Sequence, residues 1–469
     1  MAAPLELEPA ARWRELVGPR FAPRAALVLL GIWLNAADTM VTSTIMPSVA
    51  RDLGGYAYFG WAVAGYLLGS ILAGASAGQL SQRLGLRRAM ILAAAAYAGG
   101  CALSAWAPSI GVFLAGRLVQ GVGGGWIVGF CYVAIGVVFP ERLWARMFGA
   151  GAAVWGVASF LGPLVGGVFA SMAIWRWAFW MFAGQGVIFA GAVFFLLKAG
   201  QGGDDQAGRP MAWRTLAVLA AAILAIAGAD VADGDLWPSV LVGLGLVLLV
   251  VAGRVNAWPG EALLPIEAAR PFTTAGAGYA MILAMCAASA AFGVYGAAIL
   301  QTVNGLTPLA AGYVVSADAW GWTLTALVVS GQPERRHDAF IVAGASAIVA
   351  GVAALAVFIG SGAVWAVIAA AFVMGAGFGL AWSLVNSRIL SALPIEERAL
   401  GAAATPTTQM IGGALGAAAA GAIANLLGLA RDFTPGHAAA AAPWLFAAFA
   451  PVAALGWLSA WRLTRRGRA

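Results

Sequence analysis

The chain has 469 residues, of which 62% are apolar and 10% charged, with a net charge of +7. Ordinary soluble domains carry roughly 25% charged residues, so this composition excludes a water-soluble globule, whose outside has to be polar. Lipid is the solvent for much of the chain, and only helices and closed barrels tolerate lipid.

Barrel strands alternate apolar and polar residues over about 10 positions. Here the apolar runs last about 20 residues, the helix length that crosses a ~30 Å hydrocarbon slab. Residues 1–24 hold Arg12, Arg14, Arg20 and Arg24 but no long apolar core. The next run, 25–47, is too long for a cleaved signal peptide and reads as the first spanner. Further runs follow at 58–80, 88–106, 109–138, 147–171 and 177–198. Two short ones, 213–229 and 237–253, flank Asp230, Asp233 and Asp235. Six more occupy 274–302, 307–330, 339–360, 363–391, 399–428 and 440–461. The reading is an all-α membrane protein of fourteen spanners. It has an N-terminal segment 1–24, a six-helix bundle 25–198, a linker 199–273 with two extra helices, a second bundle 274–462 and a basic tail 463–469.

With the N-terminus in the cytoplasm, only Arg51, Arg176 and Arg431 fall in external loops, and Arg117 falls inside a span. The other Lys and Arg residues lie on the inner side. That is a strong positive-inside bias, expected of a bacterial inner-membrane protein with both termini cytoplasmic. The positive charge is thus a topology signal, and no free basic stripe with interleaved aromatics points to nucleic acid. Trp106, Trp175, Trp177 and Trp237 sit near span ends, as interfacial belts do. Cys101, Cys131 and Cys286 lie in apolar runs and read as small hydrophobes. His337 and His437 lie outside the spans, so neither a metal centre nor any cofactor is expected.

The two six-helix stretches repeat weakly. Gly78-Gln79-Leu80 with Arg83 has a faint counterpart in Gly331-Gln332-Pro333 with Arg335. Gly121–Gly125 corresponds to Gly375–Gly379, Pro140-Glu141-Arg142 to Pro394 with Glu396 to Arg398, and Gly162 to Gly416. The constant offset, 253 or 254 positions, is what makes these matches informative. An even number of helices per half gives a parallel repeat, the plan in which a solute site lies near the midplane between two halves.

These residues resemble the major facilitator superfamily, and most closely its drug:proton antiporters with fourteen spanners. Gly78-Gln79-Leu80-Ser81-Gln82-Arg83-Leu84-Gly85-Leu86-Arg87-Arg88 is similar to the family's cytoplasmic loop signature. Arg117-Leu118-Val119-Gln120-Gly121 is similar to its Arg-x-x-Gln-Gly motif. Gly162-Pro163-Leu164-Val165-Gly166-Gly167 is similar to the antiporter motif. Asp38 with Thr44 and Pro47, and Trp175-Arg176-Trp177, resemble signatures of the fourteen-span branch. Gln82 stands where the loop signature has Asp, Ala158 replaces a usual Gly, and the second-half loop signature is nearly erased. The resemblance implies gating roles for Gly78, Gln82, Arg83, Gly85, Arg87 and Arg88, and an antiport direction for the Gly162, Pro163, Gly166 and Gly167 segment. Gly162-Pro163 interrupts the backbone hydrogen bonding of its span and is expected to bend it. Close helix packing is the alternative for those glycines, and for Gly121–Gly125, where no strand precedes and no phosphate-binding Lys follows.

Charges at bilayer depth default to function. Two acids lie mid-span, Asp38 and Asp318, and one cation, Arg117. At 1.5 Å per residue, Asp38 and Arg117 stand at similar height. Burial favours the protonated carboxyl and a guanidinium favours the ionised one, so Asp38 reads as a proton-coupling acid with Arg117 as its switching partner. A static ion pair pinning spans 1 and 4 is the other reading. Asp318 reads as a carboxylate for a cationic solute, a second proton site, or a group hydrogen-bonded to Trp320 or Thr323. Asn35, Tyr66, Gln120, Trp155, Tyr295, Gln301, Trp382 and Asn386 are candidates to line the solute path, each with a packing alternative. The expected function is proton-coupled export of a small amphiphilic or cationic compound by a monomer. Import of a small metabolite, by proton coupling or facilitation, is the alternative. A membrane-embedded enzyme lacks the polar cluster it would need.

Overall fold

A computed structural model describes residues 13–53, 59–198, 212–228, 237–258, 260–270, 272–329, 332–429 and 433–466. Asp230, Asp233, Asp235, Gly331 and Arg431 lie outside these residues. Among the described residues the regular structure is all helical. The first six long helices are α1 (Ala22–Leu53), α2 (Phe59–Leu84), α3 (Leu86–Trp106), α4 (Ile110–Val138), α5 (Glu141–Ser171) and α6 (Trp175–Leu196). Two shorter ones follow, α7 (Trp213–Gly228) and α8 (Trp237–Asn256). The rest are α9 (Thr274–Asn304), α10 (Pro308–Val329), α11 (His337–Phe358), α12 (Val364–Ala392), α13 (Arg398–Leu426), α14 (Pro435–Ala447) and α15 (Ala450–Arg466).

Among the described residues, nine helical segments are long and apolar enough to cross a membrane. The final expected span, 440–461, is broken into α14 and α15, which together make one such segment, Pro435–Arg465. Pro451 explains the break: it has no N–H to give the carbonyl of Ala447, and a helix starts readily with Pro in its first turn. The full-length helices α2, α10 and α13 fall outside the nine. All three lie on the seam between the two bundles and carry Ser70, Gln79, Asp318, Thr405 and Thr407 in place of aliphatic residues.

Each half pairs its helices alike. In the first, α2 and α3 both pack on α4, α1 on α5 and α3 on α6; in the second, α10 and α11 both pack on α12, α9 on α13, and α11 on α14 and α15. Two separate apolar cores result, one centred on Phe113, Phe130 and Phe179, the other on Met285, Met374 and Phe446. The halves meet through α2 with α13 and α5 with α10, a reciprocal pair of contacts, and through α4 with α13 and α5 with α12. The helices α7 and α8 form a hairpin over the α2–α13 seam, where Leu219 and Ile223 cover Ile71 and Ala75.

Small residues set the helix spacing. A Cβ at Gly121 would stand 2.2 Å from the Tyr66 carbonyl oxygen, and one at Gly375 would stand 1.8 Å from the Asp318 carbonyl oxygen. The same crossing, α2 over α4 and α10 over α12, therefore depends on glycine at matched positions of the two halves. Gly121→Ala is expected to push these backbones apart and lower stability by about 1–3 kcal/mol, read as a fall in melting temperature of the purified protein. At the loop between α2 and α3, Gly85 has φ 72°, a left-handed conformation that only glycine adopts freely.

Candidate functional site

The first constellation grows from α1. Asp38 is completely buried and Arg117, on α4, is 2% exposed. One guanidinium nitrogen, Nη1 of Arg117, donates to both carboxylate oxygens, at 3.3 Å to Oδ1 and 3.2 Å to Oδ2. Gln120 Nε2 donates to Asp38 Oδ1 at 2.8 Å, and Thr42 Oγ1, one turn along α1, donates to the same oxygen at 3.1 Å. Arg117 Nη1 also donates to Gln120 Oε1 at 2.8 Å. The Arg117 guanidinium lies 4.5 Å from the Tyr66 ring centroid, an arrangement that favours a cation. Tyr66 in turn donates its hydroxyl hydrogen to Asn35 Oδ1, 3.3 Å away. Asn35, Tyr66 and Gln120, expected along a solute path, thus stand in the shell around one buried ion pair. Thr42 belongs to that shell too; its i, i+4 spacing from Asp38 was the sequence signal for it.

The antiporter-like segment of α5 packs against α1 just beyond Asp38. A Cβ at Gly162 would come 2.2 Å from Met40 Cβ, and one at Gly166 would come 2.7 Å from Thr44 Cβ. Pro163 lies inside α5, which stays helical from Glu141 to Ser171. Gly167 has no atom within 4 Å of such a Cβ.

The second constellation lies on α10 and α12. Asp318 Oδ1 is buried and accepts no hydrogen bond. Thr323 donates to the Ala152 carbonyl oxygen of α5 (3.3 Å) and so does not serve Asp318. One turn along α10 from Asp318, Trp322 stacks on Phe378 with centroids 4.8 Å apart, and its buried Nε1–H has no acceptor. Trp382 lies 5.2 Å from Trp322, and Asn386 donates to the Trp382 carbonyl oxygen while its own Oδ1 stays unpaired. Buried polar atoms are usually hydrogen-bonded, so several open ones on one helix pair mark it out. Trp322 and Phe378 were not among the expected site residues. Trp155 is partly exposed on α5, and Tyr295 and Gln301 are half-buried on α9.

The third constellation closes one face. Gln82 donates to the Glu396 carbonyl oxygen at 3.1 Å, Arg398 pairs with Glu141 at 2.7 Å, and a Cβ at Gly78 would come 2.7 Å from Leu400 Cα. These contacts join the two halves at the ends of α2, α5 and α13. The same face holds the N-terminal turn, where Glu15 pairs with Arg142 at 3.2 Å, and the end of α15, where Arg462 lies over Phe272. The first and last described helical turns are therefore on the closed face. Arg87 covers Phe194, Arg88 is exposed, and the Arg83 Nε is buried without a partner.

At the opposite end, the Trp-Arg-Trp element finds a partner not foreseen. Asp52 accepts from Trp175 Nε1 at 3.2 Å and from Arg176, which also donates to the Ala107 carbonyl oxygen. The Arg176 hydrogen bond holds the Asp52 carboxyl below its ordinary range. Trp175 is buried against Phe113 and Phe179 and does not belong to an interfacial belt, whereas Trp106, Trp177 and Trp237 are exposed.

The model of the Major Facilitator Superfamily matches residues 28–259. A protein of Mycobacterium tuberculosis named "Probable multidrug-efflux transporter" is 31% identical over 97% of both chains. This chain belongs to the major facilitator superfamily. Multidrug resistance protein 3 of Bacillus subtilis is 30% identical over 36% of this chain and 33% of its own length. Among solved structures, the human organic anion transporter MFSD10 superposes with a TM-score of 0.67 at 12% identity, covering 94% of this chain and all of that one. The proton:xylose symporter XylE gives 0.64 at 16% identity over 94% of each. The fold is that of the superfamily, and the protein is a multi-pass membrane transporter of small molecules, not an enzyme.

Proposed function

We infer that this transporter is a proton-coupled antiporter of the cytoplasmic membrane that exports small amphiphilic or cationic compounds. Its bundles are 25–198 and 274–462, joined by 199–273, and both termini face the cytoplasm. The observation that carries the reading is the completely buried Asp38 held by Arg117, Gln120 and Thr42. A buried carboxylate keeps its charge only while cations and donors face it. Movement of α1 against α4 that withdraws Arg117 would leave Asp38 to take a proton, and its return would expel that proton. The full-length similarity to a multidrug-efflux relative supports export. The buried ion pair lies within one bundle, so the motion it needs is between α1 and α4, coupled to the rocking of the halves through α1–α5 packing.

The substrate carboxylate is Asp318, at the seam helix α10. The two mid-span acids thus divide the work: one titrates, the other selects. The closed face would be cytoplasmic, so the structure corresponds to the state that releases solute outward. A proteoliposome assay with an imposed pH gradient tests the whole reading. Cationic dyes should leave against an inward proton flux, with opposite pH dependence of uptake and efflux. Proton-driven uptake in the same direction as the proton would replace antiport by symport.

The closed face makes its own prediction. The Arg398–Glu141 pair is partly exposed, 28% and 53% by side chain, so it is worth at most about 1 kcal/mol. Glu141→Gln is expected to shift the population toward an open cytoplasmic face by up to about fivefold. Crosslinking of cysteines placed at Gln82 and Glu396 would report it as a slower reaction.

A further inference from the structure

We propose that the protein carries a binding site for an anionic phospholipid of the cytoplasmic leaflet, in a groove between α1, α5 and the end of α10. The groove has a volume of about 500 Å³ and is apolar throughout, lined among others by Leu29, Trp33, Ala150, Val154 and Leu327, with Trp13 at its mouth. It runs from the closed face toward mid-membrane: Leu29 to Trp33 on α1 and Ala150 to Val154 on α5 each cover about 6 Å of rise at ~1.5 Å per residue. An acyl chain has the length and polarity for such a slot.

The headgroup chemistry is set by what stands at the closed-face end of the same stripe. Arg142, Arg146 and Ala150 succeed one another at four-residue intervals on α5, so their side chains share one face. Arg142 Nε and Arg146 Nε are both buried and donate to no partner. Among the described residues, Glu15 pairs with Arg142 and also acts on Arg146, while the neighbouring Glu141 is taken up by Arg398. Three guanidiniums against two carboxylates leave a net positive mouth among the described residues. Guanidinium groups bind phosphate oxygens strongly, and Trp13 is of the type that anchors at headgroup level. A lipid phosphate beside the half-buried Arg146, with one chain in the groove, would meet the excess positive charge and fill the slot together. A zwitterionic lipid brings the same phosphate but also a cation, which the arginines repel. Leu327 belongs to the second half while the other walls belong to the first. The lipid therefore bridges the halves and binds best when they are closed on this face. This site is independent of the coupling role given to Asp38.

Native mass spectrometry of the delipidated, full-length protein tests it, with phosphatidylglycerol and phosphatidylcholine of identical chains as probes. One phosphatidylglycerol should bind at least tenfold tighter than phosphatidylcholine. Arg146→Gln should reduce that preference to near parity. Val154→Trp, which fills the slot and leaves the arginines in place, should lose the tightly held lipid while the protein keeps its melting temperature. Equal binding of the two lipids overturns the proposal, as does a preference that survives Arg146→Gln. Competition by water-soluble glycerophosphoglycerol as strong as by the lipid would mean a free-phosphate site. A lipid-independent dimer abolished by Val154→Trp would mean a second copy fills the groove; either result overturns the proposal.

Discussion

Asp38→Asn is expected to abolish transport driven by a pH gradient, a loss of at least about 100-fold, while substrate binding changes by no more than a few-fold. Asn keeps the shape of Asp and still accepts from Gln120 and Thr42, but it has no proton to exchange. The difficulty is that the substitution also strands Arg117 in a completely buried site. Removing one partner of a buried ion pair costs about 3–5 kcal/mol, and a protein that merely unfolds also stops transporting. The double variant Asp38→Asn with Arg117→Gln separates the two. Replacing both charges restores neutrality, so thermal stability should recover most of the loss. If the pair only pins α1 to α4, transport should recover with it. If Asp38 titrates, the folded double variant should bind substrate and exchange it down its own gradient, yet show no acceleration when protons are driven inward. Full proton-driven transport in the double variant would remove Asp38 from the mechanism.

Much of this was legible in the sequence, because lipid imposes a simple rule. Apolar runs of membrane length announce helices, and a charge among them announces a site. The shared height of Asp38 and Arg117 followed from counting along two helices, and the fold supplied the packing of α1 on α4 that brings them into contact. What was less legible came from local chemistry within helices. Pro451 splits the last span, and nothing in an apolar run of that length shows where two helices will meet end to end. Of the residues expected along a solute path, Gln120 bonds the ion pair directly, while Tyr66 lies under Arg117 and bonds Asn35. Helical spacing could not distinguish a side chain turned toward Asp38 from one turned toward the seam. Asp52 went unnoticed because it lies at a span end, where an acid needs no explanation until Arg176 is seen beside it. Trp322 and Phe378 were missed because a tryptophan in a spanner is ordinary. Only the unpaired Nε1–H makes Trp322 informative, and that is a property of the folded chain. The loop signature shows the reverse case. Its missing acid cast doubt on a gating contact, yet Gln82 still crosses to the other half through a backbone carbonyl, with Arg398–Glu141 supplying the charge pair nearby.

Asp318→Asn is expected to do two opposite things. A buried carboxylate oxygen without a hydrogen bond costs folding free energy, and replacing the charge with a neutral amide of equal size relieves part of that cost. The substrate-free variant should therefore be more stable than the parent, by about 1–3 kcal/mol on the scale of an unsatisfied buried group, seen as a higher melting temperature. Affinity for a cationic substrate should meanwhile fall about 10- to 100-fold, since a hydrogen bond to a charged group contributes about 1.5–3 kcal/mol. Affinity for an uncharged substrate of similar shape should hold. A residue kept for packing would show the other pattern, with lower stability and indifferent selectivity. A gain of stability bought with loss of one class of substrate is the mark of a group held in strain for binding. The comparison also separates Asp318 from Asp38. If Asp318 were a second proton carrier, its Asn variant would lose proton-driven transport of charged and neutral substrates equally, and the pH dependence of efflux would flatten. Unequal losses with an intact pH profile would place selection on α10 and coupling on α1, one task in each half of the repeat.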